Sequence, residues 1–148
     1  PEFKPIHLNH WLESITLLFE SQRQQHHIQF RISNEYPKAS FPGDEKLLTH
    51  VVLNLLNNAT EALQGREDKE ITITARAKEN GTLQLQVSDN GKGFKEEERD
   101  KIFLPFYTTR EHGSGIGLSL SRQIMRLHKG SISASSAVGE GSVFILEV

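Results

Sequence analysis

The sequence contains no cysteine, which excludes a disulfide framework or a thiolate metal site and fits a reducing compartment. It also lacks an excess of basic charge: a formal net charge of −2 offers no electropositive field for nucleic acid. No apolar run approaches the roughly 20 residues that a membrane span needs, and no signal peptide is visible. We therefore expect a soluble, cytoplasmic chain that contacts neither nucleic acid nor membrane.

The length of the chain suits one hydrophobic core. A chain of 148 residues with 36% hydrophobic content is too short for two comfortable cores. We predict one domain over residues 1–148, of which residues 1–3 are a candidate cloning remnant. The seven histidines are scattered and do not have the spacing of metal ligands.

Two glycine clusters, DNGKGF at residues 89–94 and GSGIGL at residues 113–118, lie in the second half of the chain. Glycine is favoured where backbone N–H groups approach a ligand closely. Asp89 ends an alternating apolar run, so we place its acceptor-only carboxylate at a strand tip, where it can pair with the amino group of adenine and disfavour guanine. The second cluster leads into a predicted helix whose free N–H groups suit phosphates. Taken alone, the first cluster is better explained as a hairpin turn, and the second is explained at least as well as a helix-entry loop.

A helix with a polar stripe is predicted over residues 49–63. At 100° per residue, Asn54, Asn58 and Glu61 fall within a narrow arc beside an apolar face. Asparagine is a poor helix former, so its repetition here needs a reason. We expect Asn57 to face solvent and Asn58 to supply an oxygen ligand to a Mg²⁺ ion that bridges phosphates. The helix and both glycine clusters together predict a pocket for a purine nucleoside triphosphate.

The loop at residues 102–112 joins aromatic side chains to groups that suit phosphate. Phe103 is expected to anchor in the core. For Phe106 two roles stay open: a core anchor, or an aromatic residue of a lid that folds over the nucleotide. Hydroxyls and a permanent cation follow, at Thr108, Thr109 and Arg110.

The rest of the chain alternates helical and hairpin patterns. A first helix is expected to start at an N-cap on Asn9, and Asp44 is expected to cap the asparagine-bearing helix. Apolar residues at helical spacing are expected to face inward, in the first helix Trp11 or Leu12, Ile15, Leu18 and Phe19, and in the last helix Ile116, Leu120, Ile124 and Leu127. We predict an α+β fold: a two-layer α/β sandwich whose mixed, mostly antiparallel sheet is covered on one face by helices, with a lid over the nucleotide.

Four segments in series resemble a known family. NLLNNATEAL, DNGKGF, IFLPFYTTR and GSGIGL look like the N, G1, F and G2 boxes of the catalytic ATP-binding domain of bacterial sensor histidine kinases, within the gyrase, Hsp90, histidine kinase and MutL ATPase group. The resemblance spans about residues 44–148, and the F box is similar to that of nitrogen-regulation kinases.

The resemblance implies a catalytic domain that binds ATP and Mg²⁺. It would donate the γ-phosphoryl group to a histidine on dimerisation helices that this chain lacks. The parent would be a homodimer, of a kind that includes membrane-anchored proteins, and would pass phosphate to a response regulator. Asn58 would ligate Mg²⁺ and, with Arg110, act in catalysis. The implied nucleotide contacts are Asn54, Asn58, Asp89, Gly91, Gly93, Phe103, Thr108, Thr109, Arg110, Gly113, Ser114, Gly115, Ile116, Gly117, Leu118 and Ser142.

Two departures from the family pattern bear on mechanism. Many such kinases have Lys at the position of Glu61, so Arg110 or Lys92 would have to supply the cation. Gyrase-like ATPases have a Glu general base where this chain has Asn54, which favours a kinase over an ATPase. A serine kinase of the anti-sigma type and a nucleotide sensor without transfer stay open as alternatives.

Overall fold

The computed structural model describes residues 1–78, 81–107 and 117–148, and this part of the chain contains seven strands and three α-helices. The strands are β1 (Lys4–His7), β2 (Gln29–Asn34), β3 (Ser40–Gly43), β4 (Glu70–Ala77), β5 (Leu83–Asp89), β6 (Ser131–Ala137) and β7 (Gly141–Glu147). The helices are α1 (Leu8–Gln25), α2 (Glu45–Ala62) and α3 (Gly117–Leu127), and short 3₁₀ turns cover Glu96–Glu98 and Lys101–Phe103.

The main sheet has five strands in the order β2-β4-β5-β7-β6. β2 pairs with β4 in parallel, and the other three pairings are antiparallel. β1 and β3 form a separate two-stranded antiparallel sheet. The predicted α+β sandwich with a mixed, mostly antiparallel sheet is confirmed.

One face of the main sheet is apolar and packs on the helices. Side chains alternate between the two faces of a strand, and the register therefore aligns buried residues in rows across the strands. Two such rows are Ile73, Val87, Phe144 and Ala134, and Ala75, Leu85, Leu146 and Ile132. Burial of each large side chain contributes about 1.5–3 kcal/mol, so this face stabilises the fold.

Helix α2 is the central element of the helical layer and contacts both α1 and α3. Asp44 is its N-cap, as predicted, because a carboxylate oxygen accepts a hydrogen bond from the Leu47 backbone N–H at 3.2 Å. The helix starts earlier than residue 49, and its predicted apolar face is buried at Val51, Val52, Leu55, Leu56 and Ala59. Among the described residues, none of the helices combines the length and hydropathy needed to cross a bilayer.

The predicted start of α1 is wrong. The helix begins at Leu8, and His7 takes the N-cap position without a side-chain capping bond. β1 runs directly into the helix, so Asn9 already lies in the first turn. The pairing of β1 with β3 sets the chain direction here, which a local capping preference cannot predict.

The predicted inward faces of α1 and α3 are partly wrong. Leu18 is 57% exposed, whereas the buried stripe of α1 runs through Leu12, Ile15 and Phe19. On α3, Leu120 and Leu127 are exposed, whereas the buried positions are Ser119, Ser121, Ile124 and Met125. Burial of two small serines allows α3 to lie close to α2.

Alanine substitution of two leucines on α1 tests this orientation. Leu12→Ala should lower the free energy of unfolding by about 2–5 kcal/mol, because Leu12 is only 2% exposed and its removal leaves a cavity. The matched variant Leu18→Ala should stay within about 0.5 kcal/mol of wild type. Urea denaturation followed by circular dichroism measures both, and equal losses would contradict the assigned helix face.

Candidate functional site

Asp89 is the last residue of β5, on the face of the sheet that is otherwise apolar. It pairs with Ile71 of β4 on one side and with Ser142 of β7 on the other, and Ser142 pairs in turn with Ser136 of β6. At this end of the sheet the apolar rows are therefore replaced by a row that carries one carboxylate and two hydroxyls. The strand tip predicted for Asp89 is where the structure places it.

Burial raises the pKa of the Asp89 carboxyl from 3.8 to about 6. Hydrogen bonds from the backbone N–H groups of Gly91 and Ser142, and the positive charge of Arg66, oppose this rise in the pKa. The Gly91 N–H donates to Asp89 Oδ1 at 2.8 Å. Above pH 6 the site therefore holds a largely buried anion, which has a strong demand for a further hydrogen-bond donor.

The turn after Asp89 packs against the end of α2. The Lys92 N–H donates to the Ala62 carbonyl oxygen at 3.0 Å. A Cβ atom on Gly91 would lie 2.5 Å from that same oxygen, so a side chain is excluded at this position. Gly93 has φ +70°, a left-handed conformation that glycine adopts without strain. Both glycines of the first cluster therefore serve the turn itself.

Asn90 ties this turn to the start of β4, a role that sequence reasoning missed. Its side-chain oxygen accepts a hydrogen bond from the Glu70 backbone N–H at 2.8 Å, and its side-chain nitrogen donates to the Asp68 carbonyl at 2.8 Å. Only the β4–β5 register shows this role, because the partners lie about 20 residues away.

Asn54 joins α2 to the first turn of α3. Its side-chain nitrogen donates to Ser121 Oγ at 3.3 Å, and the Ser121 hydroxyl donates to the Gly117 carbonyl at 2.9 Å. A Cβ atom on Gly117 would lie 2.5 Å from Asn54 Oδ1. Asn54 and Gly117, which sequence analysis placed in one site, are thus in contact, and Ser121 is a supporting residue that it did not identify.

Further residues of the α2 stripe follow along the helix towards the Asp89 turn. Asn58 is half-buried and lies one turn before Ala62, the residue that contacts the turn. Asn57 is exposed, as expected, and Glu61 is half-buried. The side of α2 that carries Asn54 and Asn58 therefore runs from the start of α3 to the tip of β5.

The aromatic loop is divided between core and solvent. Phe103 is 7% exposed; its ring packs edge-on against Phe144, with centroids 6.4 Å apart, and the Arg122 guanidinium lies 5.8 Å from its centroid. The expectation of a core anchor holds for Phe103. Phe106 is 76% exposed and has φ +66°, so it is not a core anchor in this structure. The Tyr107 hydroxyl donates to Glu98 at 3.0 Å.

Part of the predicted site lies outside the described residues: Thr108, Thr109, Arg110, Gly113, Ser114, Gly115 and Ile116. Leu118, the residue after Gly117, is half-buried at the start of α3. Across residues 1–78, 81–107 and 117–148 there is no group of three or more His, Cys, Asp or Glu side chains that could hold a metal ion. A metal in this part of the site would need oxygen ligands from a bound molecule.

The described geometry has two chemically different ends. A carboxylate and a hydroxyl stand at the strand tips, where they can select a ligand group that donates hydrogen bonds. Amide side chains stand along α2, where they can hold oxygen ligands or a hydrated cation. Such an arrangement suits a long, polar ligand that lies across the ends of β5, β7 and α2.

Sequence comparisons agree with this geometry. The sequence model of the family described as “Histidine kinase-, DNA gyrase B-, and HSP90-like ATPase” matches residues 43–148. The sensor histidine kinase ZraS of Salmonella typhi is 35% identical over 154 residues, which cover 97% of this chain and 32% of ZraS. The histidine-protein kinase AtoS of Escherichia coli is 31% identical over 98% of this chain and 24% of AtoS. The chain thus spans about a third or less of these curated relatives.

Structural comparison also leads to histidine kinases. The catalytic domain of histidine kinase ThkA superposes with a TM-score of 0.89 at 31% identity, over 100% of this chain and 95% of that domain. ThkA in complex with the response regulator protein TrrA matches with a TM-score of 0.84 at 30% identity, over 99% of this chain and 41% of ThkA.

The raised pKa of Asp89 predicts a pH dependence of stability. Between about pH 4 and pH 6 the folded carboxyl keeps a proton that the unfolded carboxyl has lost, so stability should fall as the pH rises through this range. The effect is up to about 3 kcal/mol. Asp89→Asn should abolish this fall in stability. The stability of the variant relative to wild type should therefore be higher above pH 6 than at pH 4.

Two measurements check this expectation. Urea denaturation of both proteins from pH 4 to pH 8 gives the stability difference, and ¹³C NMR gives the titration midpoint of the Asp89 carboxyl. A midpoint near pH 4, with parallel stability curves, would contradict the burial that the geometry assigns to this group.

Proposed function

Because the chain belongs to the family of histidine kinase-, DNA gyrase B- and HSP90-like ATPases, as the ATP-binding domain of a two-component sensor kinase, we propose that it binds Mg-ATP and donates the γ-phosphoryl group to a histidine of its parent protein. The relatives ZraS, a sensor histidine kinase, and AtoS, a signal transduction histidine-protein kinase, are 35% and 31% identical to this chain. The activity of the whole protein is part of this proposal, since the chain spans a minority of those relatives.

Adenine would be recognised at the strand tips. An ionised Asp89 accepts hydrogen bonds only, and the amino group of adenine is a donor. The Gly91 N–H holds one carboxylate oxygen at 2.8 Å, which fixes its direction. Ser142 lies beside Asp89 across the β5–β7 pair and adds a hydroxyl. Gly91 and Gly93 shape the turn on which the base would rest.

The triphosphate would extend from the strand tips along α2 towards the start of α3. Helix α3 begins at Gly117, and its N-terminal N–H groups suit phosphate oxygens. Asn54 would lie beside the phosphates. Contacts from the segment before α3 and from the preceding loop are predicted by the family resemblance, at Thr108, Thr109, Arg110, Gly113, Ser114, Gly115 and Ile116.

Asn58 would be the protein ligand to Mg²⁺. The donor set fits this ion: Mg²⁺ uses few protein oxygens and takes phosphate oxygens and waters for the rest, and the described residues contain no carboxylate cluster that would favour a site independent of nucleotide. When bound, Mg²⁺ would neutralise charge on the phosphates. Arg110, or Lys92 in the turn after Asp89, would supply the further positive charge.

The environment of Asn54 is the observation that favours a kinase activity over an ATPase activity. At this position the resemblance places a Glu general base in hydrolytic relatives, whereas here an amide donates to Ser121 and packs on Gly117. A neutral amide cannot take a proton from water. The γ-phosphoryl group would therefore be kept for a histidine nitrogen, which forms the new N–P bond as the bond to the ADP oxygen breaks, and positioning supplies much of the catalysis.

Partners follow from the same proposal. The acceptor histidine would lie on dimerisation helices of a homodimeric parent, and a response regulator would receive the phosphoryl group. The complex of ThkA with its response regulator supports this kind of partner. We place the reaction in the cytoplasm.

Substitution of neighbouring asparagines on α2 tests the metal ligand. Asn58→Ala should remove most of the Mg²⁺ dependence of ATP binding, because the ion would lose its protein ligand. The control Asn57→Ala, at an exposed position one residue away, should keep the wild-type dependence. Calorimetric titrations of ATP with and without Mg²⁺ measure both, and an unchanged metal dependence in Asn58→Ala would refute this role.

A transfer assay tests the function itself. The chain mixed with the parent's histidine-bearing helices and γ-labelled ATP should produce acid-labile phosphohistidine on the helices, and Asp89→Asn should abolish the label with the loss of nucleotide binding. The chain alone should stay unlabelled and release phosphate slowly. Acid-stable phosphoserine on a partner, binding without transfer, or rapid phosphate release without an acceptor would each exclude the proposed kinase activity.

A further inference from the structure

Ser136 of β6 stands at the junction of three segments that surround Asp89. Its hydroxyl oxygen accepts a hydrogen bond from the Phe94 backbone N–H at 2.8 Å, at the end of the turn that follows Asp89. Its hydroxyl also donates to the Gly141 carbonyl at 2.7 Å, at the start of β7. Ser142 Oγ lies 3.2 Å from Ser136 Oγ. One side chain thus connects β6, β7 and the nucleotide-site turn.

These contacts determine which serine donates to the other. A hydroxyl has one proton and two acceptor lone pairs. The proton of Ser136 points at the Gly141 carbonyl, the shorter contact, and one lone pair accepts from Phe94. The remaining lone pair faces Ser142, so the Ser142 hydroxyl must be the donor in the pair.

The direction of this bond leaves the Ser142 hydroxyl oxygen able to act only as a further acceptor. Its single proton is used on Ser136, and its own lone pairs remain for a ligand or water. Ser142 is 6% exposed and pairs with Asp89 across β5 and β7. Among the described residues, Asp89 and Ser142 therefore place two acceptors next to each other in the same row of the sheet.

We propose that Ser136 is a specificity-determining positioning residue: it orients the Ser142 hydroxyl so that Ser142 and Asp89 both accept hydrogen bonds from the amino group of the base. The inference rests on the proposed function, since it requires a purine at this site. A base with a carbonyl in place of the amino group meets two acceptors and no donor, and the unpaired polar groups disfavour it.

The packing around Ser136 supports a fixed orientation. A Cβ atom on Gly93 would lie 2.7 Å from Ser136 Oγ and still closer to the Ala137 carbonyl oxygen. The turn therefore lies directly on the hydroxyl, and the Ser136 side chain has little freedom to rotate. The exposed neighbour Ser135 is on the opposite face of β6 and pairs with Val143, so it is a matched control for removal of a β6 hydroxyl.

The test compares ATP with ITP, which has a carbonyl in place of the adenine amino group. Dissociation constants are measured by competition against a fluorescent adenine nucleotide. The competition assay can be run up to millimolar concentrations of ITP, so it also measures weak binding. In Ser136→Ala the Ser142 hydroxyl loses its hydrogen-bond acceptor. Its O–H group can then rotate and donate to the ITP carbonyl. The ATP-over-ITP preference should fall about fivefold to tenfold. Ser135→Ala and Ser136→Thr, which keeps the β6 hydroxyl, should retain the wild-type preference.

A double-mutant cycle separates orientation from general loss of structure. Ser142→Ala alone should also lower the preference, and adding Ser136→Ala to it should change the ratio no further, because the oriented group is already gone. Should Ser136→Ala not fold, Ser142→Ala and Ser136→Thr still decide the matter. An unchanged ratio in Ser142→Ala, or equal weakening of both nucleotides in Ser136→Ala, would overturn the inference.

The outcomes also distinguish the inference from the proposed function. If wild type binds neither nucleotide, the ATP site itself is wrong. If wild type prefers ATP and Ser136→Ala keeps the same preference, the ATP site stands and only the role of Ser136 fails.

Discussion

The antiparallel pairing of β5 with β7 is the constraint on which the rest of the site depends. It places Asp89 opposite Ser142 on the face of the sheet that packs against the helices, one step beyond the apolar rows. A carboxylate on that face is buried, and burial raises its pKa to about 6. A shift of one residue in this register would turn the side chains of one of the two strands to the opposite face and would separate Asp89 from Ser142.

Helix α2 connects the two ends of the site. Its carboxyl end supports the turn after Asp89 through the Ala62 carbonyl, and its middle holds the first turn of α3 through Asn54. Side chains are excluded at Gly91 and Gly117 because α2 lies against both. One rigid element therefore sets the distance between the proposed base-binding and phosphate-binding ends. The same helix is capped by Asp44 and packed along its apolar face, so the stability of the core also holds the site in place.

Sequence reasoning succeeded where the signal was local. The Asp44 cap, the buried face of α2 and the strand-tip position of Asp89 all follow from spacing within one element. It failed at Asn9, where pairing of β1 with β3 decides the start of α1, and at Leu18, Leu120 and Leu127, where neighbouring helices decide which flank of a stripe is covered. Asn90, Ser121 and Ser136 were missed because their partners are distant in the chain and serine or asparagine has many ordinary roles.

By itself, the sequence determined the class of fold and the segments that carry the proposed nucleotide site, because periodicity, capping residues and glycine clusters act over a few residues. The tertiary structure alone decided the contact between the Ser136 and Ser142 hydroxyls, the contact between Asn54 and Gly117, and the burial that raises the pKa of Asp89. These depend on strand register and helix packing, which bring together residues far apart in the chain, such as Asn54 and Ser121 at 67 positions, and which no local pattern specifies.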